Sequence, residues 1–383
     1  MTLPGSALSD GRVLGPSVQR ASTIFFNDLD ALEAAGQRRF DVPYYGRYGT
    51  ETTFELEKVI SSMENADKAY AVSSGHAAIA AAALAFLSAG DGLLVPTSAY
   101  APTKHLATEF LGRFGISVDF YSARAAQDIV SYCKPQTRVI WIEAPCSLTY
   151  DIAEISEIVA FAQSRGIVTI ADNTWSSSCL FKPLDHGIDV SIVSATKYLS
   201  GHADAIAGFI SSSTRHRKVL ESALTALGPA LAPDVAYLVW RGIQSVWVRL
   251  DRQAKSAMQI ATALSRNAKL REVLYPALPT SENHERWKKY FSGANGLLSF
   301  TAAAMSHASV SKFARSLKLI RLGVSWGGVE SVIFPTRIDL NSPEPKSEHG
   351  TWLFRVSVGL EDPRLLLEDL EQALAQLEPS EAS

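Results

Sequence analysis

A chain of 383 residues exceeds one ordinary hydrophobic core, so two or three packed units are expected. With 47% hydrophobic and 20% charged residues and a formal net charge of −3, it has a globular composition that argues against a nucleic-acid-binding surface. Its three cysteines, Cys133, Cys146 and Cys179, lack metal-type spacing and cannot all pair, which suits a reducing cytoplasm.

The N-terminus, MTLPGSALSDGRVLG, has no apolar stretch behind a basic start, so no secretory signal is expected. YYGRYGT, Tyr44 to Thr50, sets Arg47 among tyrosines and glycines, as a solvated loop or as a phosphate clamp. Thr52-x-x-Glu55 then reads as a capping box opening a helix with Leu56, Val59, Ile60 and Met63 on one face.

Ser73, Ser74 and Gly75 precede the helix HAAIAAAALAFL, with Gly90 just past its end. Ala77 to Leu87 is too short to span a bilayer. The helix start is either an ordinary cap or a phosphate site, but it lacks the P-loop GKS/T and the spacing of a dinucleotide fold.

Strand LLVP leads to Tyr100, which either packs or stacks on a planar ring. A helix after Pro102, then GISVDFY, VIWIEAP, the helix IAEISEIVAFAQSRG, IVTIAD and VSIVSAT follow in turn. Short continuous apolar runs between amphipathic helices predict an α/β fold, a mostly parallel sheet with helices on both faces. From Pro233 to Arg266 the pattern is long and helical. GLLSF and WLFRVSVGL then mix with helices, and DPRLLLEDLEQALAQL ends the chain's pattern with Asp362 as N-cap and Pro363 at the first helical position. The expected organisation is an N-terminal arm (1–50), a large α/β domain (51–243) and a smaller α+β domain (244–383).

Lys197 leaves VSIVSAT among Ser, Thr, Gly, His and Asp. It either snorkels to water or forms a Schiff base with a carbonyl cofactor, which would relieve an amine of pKa about 10.4 of its inertness. Asp172, ending IVTIAD, is a cap or the carboxylate that keeps a pyridine nitrogen protonated. Ser194 and Thr196 flank the lysine and offer hydroxyl donors to a phosphate. In WLFRVSVGL, Trp352, Phe354, Val356 and Val358 share one face, which puts Arg355 on the other with Leu353 and Ser357. An arginine there needs an anion, in a structural salt bridge or as a substrate carboxylate. His202 and Asp204 lack an HExxH or a Cys/His cluster beside them, so no metal is expected.

YYGRYGT, SSGHAA, ADNTW, SATKYLSGHAD, SWGGVES and FRVSVGLED, in this order from Tyr44 to Asp362, resemble the Cys/Met-metabolism family of fold-type-I pyridoxal-phosphate enzymes. FSGANGLLSF, SWGG and DNTW are most similar to its bacterial cystathionine β-lyase branch. The resemblance implies the PLP-dependent transferase-like fold and pyridoxal 5'-phosphate as cofactor. It makes Lys197 the Schiff-base lysine, Asp172 the pyridine partner and Tyr100 the stacking ring. Gly75 and His76 would cradle the phosphate with Ser194 and Thr196.

Tyr45 and Arg47 would reach the site of a neighbouring subunit, Tyr45 touching substrate as well. The resemblance thus implies a homo-oligomer, an obligate dimer or a tetramer built as a dimer of dimers. Arg355, Ser325 and Trp326 would form the carboxylate pocket. The implied reaction is β-elimination from cystathionine or a related cysteine S-conjugate, giving a thiol, pyruvate and ammonia. A broader carbon–sulfur lyase, a γ-lyase or γ-replacement transferase, and a non-catalytic cofactor scaffold are the alternatives. His76 stands where the family usually carries Met or a small apolar residue. Val324 stands where β-lyases often carry Tyr and γ-lyases Glu.

Overall fold

The computed structural model describes residues 15–124, 129–302, 305–338 and 351–377, so nearly all of the segment read for a secretory signal lies outside them. A first sheet holds β1 (Lys68–Val72), β2 (Gly92–Pro96), β3 (Ser117–Tyr121), β4 (Thr137–Glu143), β5 (Val168–Asp172), β6 (Val190–Ser194) and β7 (Gly208–Ser212). Their order is β1-β7-β6-β5-β4-β2-β3. β2 to β6 run parallel, and β7 lies antiparallel to both β6 and β1.

Both faces are covered, which is why the strands read as unbroken apolar runs. In β4, Val139 and Trp141 pack with Ala78, Ile79 and Ala82 of the helix Gly75–Phe86. Ile140 and Ile142 point the other way, toward Ile155 and Ile158 of the helix Ile155–Arg165. β1 and β7 were not foreseen. KAYAV and GFISS are short and rich in small or polar residues; GFISS becomes a strand between β6 and KAYAV, and KAYAV by pairing with GFISS at the edge.

A second sheet has the order β10-β11-β12-β9-β8, from β8 (Leu270–Leu274), β9 (Leu297–Ala302), β10 (Arg321–Leu322), β11 (Val332–Ile338) and β12 (Thr351–Ser357). Phe354 and Val356 pack with Ile260, Leu366 and Leu370, while Leu353 joins the core that contains the first sheet. The alternation expected of WLFRVSVGL is therefore present, with Arg355 on the side turned to the first sheet.

Two helix starts differ from expectation. The helix Glu51–Glu64 is capped by Thr50, whose amide donates to Thr53 Oγ1 at 2.8 Å, not by a Thr52/Glu55 box. Thr52 instead donates to Ser17 O (2.7 Å) and accepts from Gln19 N (2.8 Å), pinning the arm. The helix expected from Ile152 begins at Ile155, because the Ile152 amide and carbonyl are taken by Asn283 (3.0 Å) and Arg286 (2.9 Å). The terminal helix Pro363–Leu374 starts as read, with Asp362 accepting from Arg364 N at 2.9 Å. Among the described residues no helix is long and apolar enough to cross a membrane.

Candidate functional site

A cleft opens at the carboxyl ends of β4, β5 and β6, where ligands sit in open α/β sheets. Its empty space is ≈770 Å³ with the open mouth included. Lys197, Asp172, Tyr100, Ser194, Gly75, His76, Trp326 and Arg355 all line it. The structure thus brings together residues spread over 281 positions (75 to 355, both counted).

Lys197 sits in a turn just past β6, its carbonyl accepting from Gly201 N at 2.8 Å. Its Nζ donates to Ser325 Oγ at 2.9 Å and lies 5.2 Å from the centre of the Trp326 ring. Burial, and then the Arg355 cation, bring its pKa down to about 8, against the pull of Asp172. Asp172 ends β5 and accepts from Thr174 N at 3.0 Å. Burial pushes its pKa up, while the Thr174 contacts and Lys197 oppose the rise.

Beside it in register, on β4, stands a carboxyl that sequence reading missed, Glu143. It accepts from Tyr100 N (2.8 Å) and Ser147 N (2.7 Å), and burial followed by Asp172 pushes its pKa up to about 8. The available signal was an acidic residue ending an otherwise apolar strand.

Arg355 is 6% exposed and lies 5.1 Å from the centre of the Phe334 ring. Its Nη2 donates to the carbonyls of Val324 (2.7 Å) and Ser325 (3.1 Å), and its Nε is buried without a partner. Among the described residues it makes no ion pair. A buried guanidinium with an unused donor is an anion site in waiting.

At the other end, Ser74 caps the helix Gly75–Phe86 by accepting from Ala77 N at 3.0 Å. The amides of Gly75 and His76 fall in the first turn, where no intrahelical acceptor exists. A Cβ on Gly75 would lie 2.5 Å from Ser194 Cβ, so only glycine lets the helix start approach β6 this closely.

Four expected residues stand outside the lining: Ser325, which meets it through Lys197 Nζ, and Thr196, Arg47 and Tyr45. Thr196 Oγ1 is committed to Ala207, donating to its carbonyl (3.3 Å) and accepting from its amide (3.1 Å). Arg47 donates to Thr225 O (2.9 Å) and to the Tyr48 hydroxyl (3.0 Å), and stacks 4.5 Å from the Tyr48 ring centre. Tyr45 is half-exposed, in a bridge with Thr23.

Residues 8–375 match the family described as Cys/Met metabolism PLP-dependent enzyme. The chain belongs to this family. Cystathionine beta-lyase of Haemophilus influenzae is 35% identical over 96% of this chain and 95% of its own. Cystathionine beta-lyase MetC of Escherichia coli K12 is 33% identical over 94% and 93%. An L-alanine/L-glutamate racemase of Wolbachia pipientis is 36% identical over 95% and 93%. The crystal structure of metB from Corynebacterium glutamicum superposes with a TM-score of 0.81 at 30% identity, covering 86% of each chain.

The expected fold type I is therefore present, and this is a pyridoxal-phosphate-dependent family. The residues of this cleft fit that cofactor. A buried carboxylate (Asp172) stands ready for the ring nitrogen, a lysine for the carbonyl, and a glycine-opened helix start for the phosphate.

Proposed function

We propose that the protein is a carbon–sulfur β-lyase that cleaves L-cystathionine, or a related cysteine S-conjugate, to a thiol, pyruvate and ammonia. The observation that carries this reading is Arg355, a buried guanidinium with an unpaired Nε in the same cleft as a lysine of lowered pKa. Such a group suits the α-carboxylate of an amino acid. Relatives named cystathionine beta-lyase add support.

When bound, pyridoxal phosphate supplies a carbonyl that captures the substrate amine and a ring that takes up electrons freed at Cα. Lys197 Nζ holds the cofactor, then takes the Cα proton and returns a proton to the departing sulfur. Its lowered pKa keeps part of the amine unprotonated near neutrality. Asp172 would hold the proton on the ring nitrogen, and Tyr100 would cover the ring. The Gly75 and His76 amides with Ser194 grip the phosphate. Arg355 would hold the substrate carboxylate and so orient the Cα–H bond toward the base. Ser325 and Trp326 border that pocket.

Tyr45 and Arg47 act on the cleft of a second subunit in a homo-oligomer, read as a dimer of dimers. Their position outside their own cleft supports this. The division into 1–50, 51–243 and 244–383 belongs to the same proposal. It is supported by a second sheet drawn wholly from positions after 243 and by the helix break between Ile243 and Val246.

β-Elimination is favoured over γ-elimination by Val324, whose apolar side chain, 76% exposed, precedes Ser325. γ-Chemistry needs a second proton removed from Cβ, and valine offers no group for it. A panel of cystathionine, cystine, S-alkylcysteines, methionine and O-acylhomoserines tests the reading, with pyruvate, 2-oxobutyrate and thiol measured. Pyruvate with homocysteine from cystathionine supports it; 2-oxobutyrate with cysteine as main products overturns it.

The racemase among the relatives favours a second reading, in which the proton removed from Cα is returned to the opposite face. L-Alanine in the same panel addresses it, since D-alanine formed without pyruvate is the mark of racemisation.

A further inference from the structure

Glu143 lines the cleft, yet the reaction above assigns it no task. β4 and β5 pair Glu143 with Asp172 in register, so two buried acidic side chains end neighbouring strands at the ligand edge of the sheet. Burying a second carboxyl there is costly and needs compensation by hydrogen bonds. Both of its oxygens are taken by backbone donors. Oε2 accepts from Tyr100 N at 2.8 Å and Oε1 from Ser147 N at 2.7 Å.

The two donors lie on different walls of the cleft. Tyr100 follows β2, and its carbonyl is bonded by the amides of Thr103 (2.9 Å) and Lys104 (3.2 Å) in the first turn of the helix Ala101–His105. With its N–H held by Glu143, the Tyr100 backbone is tied on both sides, which limits where its half-exposed ring can swing. Ser147 belongs to the loop after β4, where Pro145, Cys146 and Leu148 also line the cleft. One carboxyl therefore staples a wall built from β2 to a wall built from β4.

We propose that Glu143 is a positioning residue, which clamps the Tyr100 and Ser147 amides and so fixes the Tyr100 ring and the facing loop around the bound cofactor. This rests on the reading of Tyr100 and Asp172 as ring-facing groups. The effect on the reaction is indirect: Glu143 touches backbone, and Tyr100 touches the cofactor. Burial explains why the arrangement holds, since water is excluded from competing for either amide.

Glu143→Gln keeps the shape but turns an NH₂ toward one of the two amide donors, so one contact is lost. Glu143→Asp keeps the carboxyl group but draws it back by one carbon. The holoenzymes are compared by the visible circular dichroism of the bound cofactor, by cofactor dissociation constant, and by kcat and KM taken separately.

With the reacting groups misplaced, the Gln variant should lose roughly 10–100-fold in kcat with little change in KM, and the cofactor's dichroic band should weaken. The Asp variant should show the same loss in smaller measure. A wild-type band and wild-type kcat in both variants overturn the proposal. Tyr100→Ala and Asp172→Asn serve as controls on the underlying reading. If these two leave band and kcat unchanged, the ring-facing reading fails. If they impair both while the Glu143 variants do not, only the clamp fails.

Discussion

Lys197 in the turn after β6 and Ser325 on the loop before β11 meet through a 2.9 Å hydrogen bond, which ties these two segments together beside the cleft. The loop is held against the lysine turn by packing as well. A Cβ on Gly327, where φ is +87°, would lie 2.9 Å from Tyr198 N and 3.0 Å from the Lys197 carbonyl carbon. Arg355 in turn donates to the carbonyls of Val324 and Ser325, so the buried guanidinium and the lysine amine are joined through a few residues.

The buried amine has a consequence for stability in the cofactor-free protein. Folding lowers the Lys197 pKa from 10.5 to about 8. Between those values the unfolded chain holds a proton that the folded chain has released, so stability rises with pH through the window and the cost is full below it. Lys197→Met should stabilise the cofactor-free protein at pH 7 by roughly 2–3 kcal/mol and flatten the slope between about pH 8 and 10.5. Urea unfolding across that range measures both, and an unchanged slope would count against a strongly desolvated amine.

Arg355→Leu removes a charged grip on the carboxylate and should cost a few kcal/mol in kcat/KM for every amino-acid substrate. A loss restricted to one substrate in steady-state assays would mean that the arginine reads the leaving group instead.

Gly75→Ala places a methyl 2.5 Å from Ser194 Cβ, so the helix start must move away from β6. The cofactor dissociation constant should rise at least tenfold, because the first-turn amides retreat from the phosphate. Titration of the cofactor-free variant followed by absorbance checks this, with far-ultraviolet circular dichroism to confirm the fold.

Arg47→Ala should weaken cofactor binding by about 1.5–3 kcal/mol, the range for one charged hydrogen-bonded contact. The assignment across subunits adds a condition: tight binding should track oligomerisation in sedimentation experiments. A folded monomer that binds as tightly as the wild-type assembly would contradict a shared site.

Much of this site was legible along the chain because its signals are local. IVTIAD and VSIVSAT are apolar runs that end in Asp172 and reach Lys197, and a strand covered on both faces leaves little choice about which end is polar. The alternation in WLFRVSVGL likewise set Arg355 apart from Phe354 and Val356, and the structure keeps them on opposite faces. What the chain could not reveal was pairing. Glu143 becomes a partner of Asp172 only because β4 lies next to β5 in one register, and its oxygens meet Tyr100 and Ser147 only because β2 flanks β4 on the other side. Thr52 looked like a cap until the arm took its hydroxyl, and only the fold shows that the Thr196 hydroxyl pairs with Ala207. Arg355 was open to either a salt bridge or a substrate, and only the packed structure shows its Nη2 on the Val324 and Ser325 carbonyls and its Nε buried without a partner. A side chain's type and its face in a strand follow from neighbours in sequence. Which donor finally meets which acceptor depends on segments tens to hundreds of residues apart, whose approach is set by the packing of the two sheets.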